Sequence, residues 1–214
     1  MSGLVLPDGV RRAVPGEARQ AADIVAEAFR DDPFNRWLFG DFRAMRAVFR
    51  SYARHVYTRG GVTHLAGQTG AALWMPPGGK DALGPLALLR LLGAVGWYGG
   101  RGAVRRARIA GDGMAAAHPR EPHWYLFLIG TLPAARGTGV GKRLMRAVLD
   151  ECDRSGTGAY LENSNPSNTG FYVAHGFDVR GPVPMPAEAP PLVAMWREPG
   201  GSRIAEAAAK AKGA

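Results

Sequence analysis

Apolar residues recur along the first part of the chain at the three- and four-residue steps that are typical of a helix. In the segment before Pro33, the apolar positions are Ala21, Ile24, Val25 and Phe29. This spacing places them on one face of an amphipathic helix, and Pro33 ends the pattern. A second helix is predicted for residues 39–59.

The second half of the chain contains apolar runs that are typical of buried strands. Residues 123–132, HWYLFLIGTL, are aromatic or aliphatic almost throughout, as expected of a central strand covered on both faces. The other predicted strands are residues 10–14, 61–67, 71–77, 158–163 and 191–198. The other predicted helices are a Leu-rich and a basic helix within residues 79–118, a helix that ends near residue 155, and a short helix over residues 168–177.

Strands alternate with helices in the second half, which indicates a mixed α/β fold. We expect a single domain over residues 1–198, because a chain of 214 residues is long enough for one sizeable core. The Ala/Lys-rich residues 199–214 are expected to form a separate C-terminal tail.

Composition places the chain among ordinary globular proteins, with 46% hydrophobic and 21% charged residues. Cys152 is the only cysteine, so no intramolecular disulfide can form. No Cys/His cluster has zinc-like spacing, and we therefore expect no metal. The first residues lack the apolar segment of a secretory signal, from which we expect a cytoplasmic protein.

The formal net charge of +9 is compatible with nucleic acid, an anionic membrane surface or an anionic small molecule as the partner. No nucleic-acid motif accompanies the basic clusters, so we expect no nucleic acid. Residues 82–100 are apolar, but Pro85 and Arg90 interrupt them, and a membrane span needs about 20 apolar residues with few charges. We therefore expect no membrane partner either.

A glycine-rich loop precedes the helix that ends near residue 155. Gly137, Gly139 and Gly141 lack side chains just where that helix begins, so a ligand can approach the backbone closely. The first N–H groups of a helix lack intrahelical partners and lie at its positive end, which favours a bound phosphate. Arg136 and Lys142 add positive charge. The loop lacks both the P-loop pattern and the dinucleotide pattern GxGxxG.

The spacing Arg136-x-x-Gly139-x-Gly141 resembles motif A of the GCN5-related N-acetyltransferases, the GNAT superfamily. The stretch NPSNTGFYVAHGF resembles a second signature of that family and contains Asn165 and Tyr172. HPREPHWYLFLIG and LENSNPSNTGFYVAHGFDV also resemble the puromycin N-acetyltransferases of actinobacteria.

The resemblance implies the GNAT fold, a central, mostly antiparallel, twisted sheet of six to seven strands flanked by helices. It also implies acetyl-CoA as co-substrate, with its pyrophosphate in the glycine loop. The implied cofactor-binding residues are Ile129, Gly130, Thr131, Arg136, Gly137, Thr138, Gly139, Val140, Gly141, Lys142, Asn165 and Asn168. Asn168 could alternatively cap the short helix. Gly130 is expected to permit a kink or bulge that splays the strands, or alternatively to allow tight packing.

The implied reaction is attack of an amine on a thioester, with Tyr172 as general acid for the leaving thiolate. A tyrosine titrates near about 10 and a thiol near about 8.5, so full proton transfer is uphill and Tyr172 is expected to donate a strong hydrogen bond first. The general base is open: the candidates are Glu162, His123, Glu121, Asp32 or a water relay, with Glu162 preferred.

Residues 79–118 are expected to form helices over the acceptor pocket, whose apolar and aromatic character suits a drug-like amine better than a polyamine. We assign substrate contacts to Asp32, Trp97, Tyr98 and Trp124. The predicted partner is a small-molecule amine, and the protein is expected to be a monomer or a homodimer. A protein N-terminal or lysine acetyltransferase and a non-catalytic acyl-CoA-binding regulator are the alternatives.

Overall fold

The computed structural model describes residues 4–80 and 82–201, and these form a seven-stranded sheet between two layers of helices. The strands are β1 (Val10–Arg12), β2 (Val62–Ala66), β3 (Gly70–Met75), β4 (His123–Thr131), β5 (Gly158–Asn163), β6 (Asp178–Pro182) and β7 (Val193–Arg197). The helices are α1 (Ala18–Ala28), α2 (Pro33–Phe39), α3 (Phe42–Tyr52), α4 (Pro85–Ala117), α5 (Val140–Ser155) and α6 (Thr169–Val173). Most of the expected tail, residues 202–214, lies outside the described residues.

The sheet has the strand order β1-β2-β3-β4-β5-β7-β6. All neighbouring strands are antiparallel except β4 and β5, which run parallel. The expected α/β class with a mostly antiparallel sheet is therefore confirmed, and the sheet is mixed rather than purely antiparallel. The edge strand β6 escaped prediction because its five residues, DVRGP, lack an apolar alternation.

The two parallel strands separate before either of them ends. Their pairing runs from His123↔Gly158 to Leu126↔Leu161. Beyond that point β4 stays paired with β3 as far as Thr131, while β5 stays paired with β7. The facing edges of residues 127–131 and 162–163 thus enclose a gap in the middle of the sheet.

A bulge in β4 lies at the start of this gap. Leu73 of β3 pairs with Leu128, whereas the next residue of β3, Trp74, pairs with Leu126, so Phe127 is the extra residue. The bulge shifts the alternation of side chains, and Phe127 and Leu128 both pack on the face that α1 and α3 cover. The expectation of a bulge at Gly130 is wrong, because Gly130 pairs regularly with Ala71.

The opposite face of the sheet is covered by α5. Its buried residues recur at helical spacing and include Leu144, Met145, Val148 and Cys152. Burial raises the pKa of the Cys152 thiol to about 12, so this cysteine is a packing residue rather than a nucleophile.

Two glycines break helices that the apolar pattern alone would join. Gly40, with a φ of 70°, ends α2, and Asp41 then caps α3 by accepting a hydrogen bond from the Arg43 N–H at 2.7 Å. The single helix predicted for residues 39–59 is therefore wrong at its start. Gly100, with a φ of 73°, divides α4 into a Leu-rich and a basic half, as expected. None of the described helices, α4 included, is both long and apolar enough to cross a membrane.

His64 on β2 is completely buried, and neither of its ring nitrogens has a hydrogen-bond partner among the described residues. Burial, assisted by the charge of Arg12, lowers the pKa of His64 to about 4. An unfolded histidine titrates near about 6.5. The unfolded chain therefore binds a proton between these two values that the folded protein rejects, and stability falls as the pH falls through this window.

We predict that His64→Leu flattens the acid side of the stability profile. Between pH 7 and pH 5 the wild-type protein should lose about 2 kcal/mol of its free energy of unfolding through this histidine, a loss that the variant avoids. Urea unfolding over this pH range measures the difference in slope. The exposed His55, changed to Gln, is the control and should alter the slope much less. Parallel profiles for wild type and His64→Leu would contradict the assignment.

Candidate active site

An apolar cavity of about 750 Å³ lies between the sheet and the layer formed by α1 to α4. Its walls are mostly leucines and aromatic rings, and α4 covers it with Leu91, Val95, Val104 and Ala107. Side chains on β4, β5 and α6 line its inner end, among them Glu162 and Tyr172. A cavity of this size and character suits a small molecule with an apolar body. We refer to it below as the apolar cavity.

A second cavity, of about 520 Å³, lies beside the glycine loop and is lined by many polar groups. Its walls come from the end of α1, the end of β4, the N-terminus of α5 and the segment before α6. The residues predicted for cofactor binding that line it are Ile129, Gly130, Thr131, Arg136, Gly141, Asn165 and Asn168. We refer to it below as the polar cavity.

The two cavities meet at three residues. Phe29, Ile129 and Tyr172 line both of them. Ile129 lies on the free edge of β4, so the junction coincides with the gap between β4 and β5. A ligand that fills the polar cavity can therefore present one end, through the gap, to a ligand in the apolar cavity.

The glycine loop has the conformation that anion binding requires. Gly137 and Gly139 adopt φ values of 78° and 79°, which residues with a side chain rarely adopt. The first hydrogen bond of α5 runs from the Arg143 N–H to the Gly139 carbonyl at 3.1 Å. The N–H groups of residues 140–142 therefore have no acceptor within the helix, and they lie at its positive end. These features fit a pyrophosphate group.

Other residues of the loop shape it rather than offer their side chains. The Thr138 hydroxyl donates to the Ala135 carbonyl at 2.7 Å and so closes a turn of the loop itself. Val140 is buried in the core, so only its backbone is available to a ligand. Lys142 is exposed and lines neither cavity, so its charge acts from the rim.

Gly130 allows α1 to approach the sheet. A Cβ atom at this position would lie 2.7 Å from the Ala28 Cβ and 3.3 Å from the Val25 Cα. The close packing of α1 on β4 therefore requires glycine, which agrees with the alternative left open by the sequence. This contact keeps the end of α1 beside the junction of the two cavities.

Tyr172 on α6 is buried at the junction, and its hydroxyl makes no hydrogen bond within the described part of the chain. Burial, and then the nearby charge of Asp32, raise the pKa of Tyr172 above its ordinary value. The hydroxyl therefore keeps its proton at neutral pH and is a hydrogen-bond donor there. Its place is the one expected of a general acid.

Glu162 on β5 faces the apolar cavity next to the junction. The Tyr125 hydroxyl donates a hydrogen bond to the Glu162 carboxylate at 2.8 Å. Burial, followed by the charge of Glu162, raises the pKa of Tyr160, which lies on the same strand. Glu162 is thus a carboxylate held by neighbouring phenols, in reach of an amine in the apolar cavity.

Asp32 joins two loops across the polar cavity. It accepts hydrogen bonds from the Asn35 N–H at 2.8 Å and the Asn35 side-chain amide at 2.7 Å, and so caps α2. The Ser164 hydroxyl, from the segment after β5, donates to it at 2.8 Å. Burial raises the pKa of Asp32, and these hydrogen bonds oppose the shift. Sequence reasoning missed Asn35 and Ser164, whose one signal was the spacing Asp32-x-x-Asn35 of a helix cap.

The other two candidate bases lie away from the site. His123 contacts the Glu121 carbonyl through Nδ1 at 2.7 Å and packs among aromatic rings, and Glu121 itself is exposed. Neither residue lines either cavity. The predicted preference for Glu162 therefore agrees with the geometry.

The two asparagines of the Tyr172 segment exchange the parts suggested for them. Asn165 accepts a hydrogen bond from the Ser167 N–H at 3.0 Å and caps the turn before α6. Asn168 lies at the first position of α6 but makes no capping hydrogen bond. The capping alternative for Asn168 is therefore wrong, and its side chain remains at the polar cavity.

Three predicted substrate contacts are wrong. Trp97 and Tyr98 of α4 point outward, with 84% and 40% of their surface exposed, and line neither cavity. Trp124 is buried on the face of the sheet that α5 covers, opposite the apolar cavity. Asp32 does lie at the site, but in the polar cavity.

Comparison with known proteins agrees with this architecture. A model described as the Acetyltransferase (GNAT) family matches residues 93–177, which include the glycine loop and Tyr172. An uncharacterized N-acetyltransferase of Schizosaccharomyces pombe is 27% identical over 219 residues, covering 95% of this chain and 89% of that protein.

Two solved structures share the fold. One, from Corynebacterium glutamicum and described as histone acetyltransferase HPA2 and related acetyltransferase, superposes with a TM-score of 0.66 at 27% identity. It covers 89% of this chain and 95% of that one. A polyamine N-acetyltransferase of Drosophila melanogaster superposes with a TM-score of 0.57 at 16% identity, covering 87% and 96%. The finer resemblance to puromycin N-acetyltransferases stays a prediction.

We predict that Gly130→Ala destabilises the protein, because the added methyl group would collide with the backbone and Cβ of α1. Overpacking of this kind typically costs about 1–3 kcal/mol in the free energy of unfolding. Gly93→Ala is the matched control. A Cβ there meets nothing within 4 Å, so the higher helix propensity of alanine should leave stability unchanged or raise it. Denaturant unfolding measures both, and equal stabilities would contradict the packing role of Gly130.

Proposed function

From the premise that the chain is an acyl-CoA N-acetyltransferase of the GNAT type, we propose that it acetylates the amine of a small molecule bound in the apolar cavity. The observation that carries the proposal is the meeting of the two cavities at Tyr172, in the gap between β4 and β5. One cavity is polar and adjoins an anion-binding loop, and the other is apolar. That arrangement suits a phosphate-bearing donor on one side and an organic amine on the other.

The residues around the polar cavity fit acetyl-CoA. Its pyrophosphate would take the free N–H groups at the start of α5, with Arg136 as counter-charge. The free edge of β4 offers N–H and C=O groups at residues 127–131, which can pair with the pantetheine amides as a neighbouring strand would. Backbone N–H groups near Ile129 are the candidate donors to the developing oxyanion.

The reaction joins the acceptor nitrogen to the acetyl carbonyl carbon and breaks the carbon–sulfur bond. The departing thiolate accepts a hydrogen bond, and finally the proton, from the Tyr172 hydroxyl. Because burial raises the pKa of Tyr172, the proton transfer is more unfavourable than for an exposed tyrosine. Tyr172 therefore stabilises the thiolate mainly by hydrogen bonding, and proton transfer comes late.

The acceptor amine must be neutral to attack and must lose a proton as the amide forms. Glu162 is the preferred base, because it lines the apolar cavity where the amine would bind. Asp32 faces the polar cavity, and its carboxylate already accepts three hydrogen bonds. An α-amine, with a pKa near about 8, loses its ammonium proton more easily at neutral pH than a lysine amine does. The antibiotic-like α-amine predicted from the sequence, of which puromycin is an example, fits this requirement.

The cover provided by α4 favours a small acceptor over a protein. A polypeptide substrate needs an open groove, whereas α4 closes the apolar cavity along much of its length. A non-catalytic acyl-CoA-binding regulator would have no need for a buried tyrosine hydroxyl and a carboxylate on the two sides of the junction.

We predict that Tyr172→Phe lowers kcat at least about 100-fold while it leaves the affinity for acetyl-CoA nearly unchanged. Release of free CoA thiol, with puromycin as the first acceptor, measures turnover, and calorimetric titration measures binding. Tyr98→Phe removes the same hydroxyl from an exposed tyrosine outside both cavities and should behave as wild type. Equal losses of turnover and of acetyl-CoA affinity in Tyr172→Phe would count against the general-acid role.

Glu162→Gln should lower kcat by about 10²-fold or more if this carboxylate accepts the amine proton. The effect should be strongest below the pKa of the acceptor amine, where most of the acceptor carries the extra proton. Glu188→Gln, in an exposed loop, makes the same change of charge away from the site. A pH–rate profile of Glu162→Gln that parallels the wild-type profile would assign the proton to water instead.

A further inference from the structure

The charged residues that line the apolar cavity are separated by sign. Of the described residues that line it, Glu162 is the one acidic side chain, and it lies at the junction with the polar cavity. Arg101, Arg105 and Arg108 line the cavity from the basic half of α4. The cavity therefore has a negative inner end and a positive outer side.

The three arginines lie on one face of α4, since their spacing of four and three residues corresponds to successive helical turns. All three are exposed at the rim of the cavity. Arg101 and Arg105 have no ion pair with any described residue, and Arg108 approaches only Asp112, at 4.0 Å, where both side chains are largely exposed. An exposed pair of this kind contributes little, so the positive charge is available to a ligand.

The helix itself gives the distance between the two charged ends. The Tyr160 hydroxyl donates to the Ala117 carbonyl at 3.5 Å, which places the C-terminal end of α4 beside the strand that carries Glu162. At a rise of 1.5 Å per residue, Arg108 lies roughly 14 Å and Arg101 roughly 24 Å farther along the helix. The wall in between is apolar, with Val104, Ala107 and Met114.

We infer that the acceptor is an amphipathic amine: an amino group, then an extended apolar body, then a distal carboxylate or phosphate that Arg101, Arg105 and Arg108 bind. The inference rests on the proposed function, because it assigns the amine to the Glu162 end. Guanidinium groups bind carboxylates and phosphates through paired, charge-assisted hydrogen bonds. A polyamine would instead place its second positive charge beside three arginines.

Matched acceptors test this class directly. The ω-amino acids 4-aminobutanoate, 8-aminooctanoate and 12-aminododecanoate are compared with butylamine and octylamine, which lack the acid. Release of CoA thiol should show that 8-aminooctanoate exceeds octylamine in kcat/KM by about tenfold or more, because a hydrogen-bonded charge contributes this much. The advantage of the acid should increase from four carbons to twelve as it reaches the arginines, and it should decrease with added salt.

The variants Arg101→Gln and Arg105→Gln, alone and combined, should bring the ratio of 8-aminooctanoate to octylamine towards one. Arg120→Gln is the matched control. It removes one positive charge from an exposed arginine that lines neither cavity, so the wild-type ratio should persist. Equal use of the acid and the alkylamine by wild type, or a ratio that the arginine variants leave intact, would overturn the inference and leave the proposed function standing.

Binding separates the inference from the reaction. In calorimetric titration, wild type should bind 12-aminododecanoate about tenfold more tightly than the combined Arg101→Gln/Arg105→Gln variant. That difference without turnover of any amine would support the ligand class and contradict the proposed acetyl transfer. Equal binding by the two proteins would contradict the ligand class whether or not amines are acetylated.

Discussion

The site depends on the early separation of β4 and β5. Backbone N–H and C=O groups in the middle of a sheet require partners, and an unpaired group that is shielded from water is costly. Here the parallel pairing stops at Leu126↔Leu161, although each strand continues along its outer neighbour. The bulge at Phe127 turns β4 at this point. The resulting gap offers an extended ligand the hydrogen bonds of a missing strand, and both cavities open into it.

The helices fix what lies on each side of this gap. On the donor side, α5 directs its N-terminus and the positive-φ glycines of its preceding loop towards the polar cavity. On the acceptor side, α4 is held over the apolar cavity by close backbone contacts, such as Gly99 against the Phe39 carbonyl and Gly113 against the Pro184 carbonyl. Arg106 adds a hydrogen bond to the Leu38 carbonyl at 3.2 Å. The cover of the acceptor site is thus part of the packed structure.

Charge is distributed so that each ionisable group has a separate task. Asp32 accepts hydrogen bonds from both sides of the polar cavity, and so ties the start of α2 to the segment after β5. Its charge, together with burial, also keeps Tyr172 protonated. Glu162 lies on the other side of the junction among phenol groups, where an amine would arrive. The arginines of α4 remain at the outer side of the same cavity.

The sequence by itself determined the features that short-range chemistry controls. The glycine spacing from Gly137 to Gly141, the limits of β5 and the two halves of α4 follow from local periodicity and backbone freedom, and the motif around Tyr172 indicated the reaction. The packing of distant segments decided the rest. Trp124 faces α5, Trp97 faces solvent and the bulge lies at Phe127, because the side that a residue presents depends on the register of its strand or helix against its neighbours. That register is fixed only when the whole core assembles.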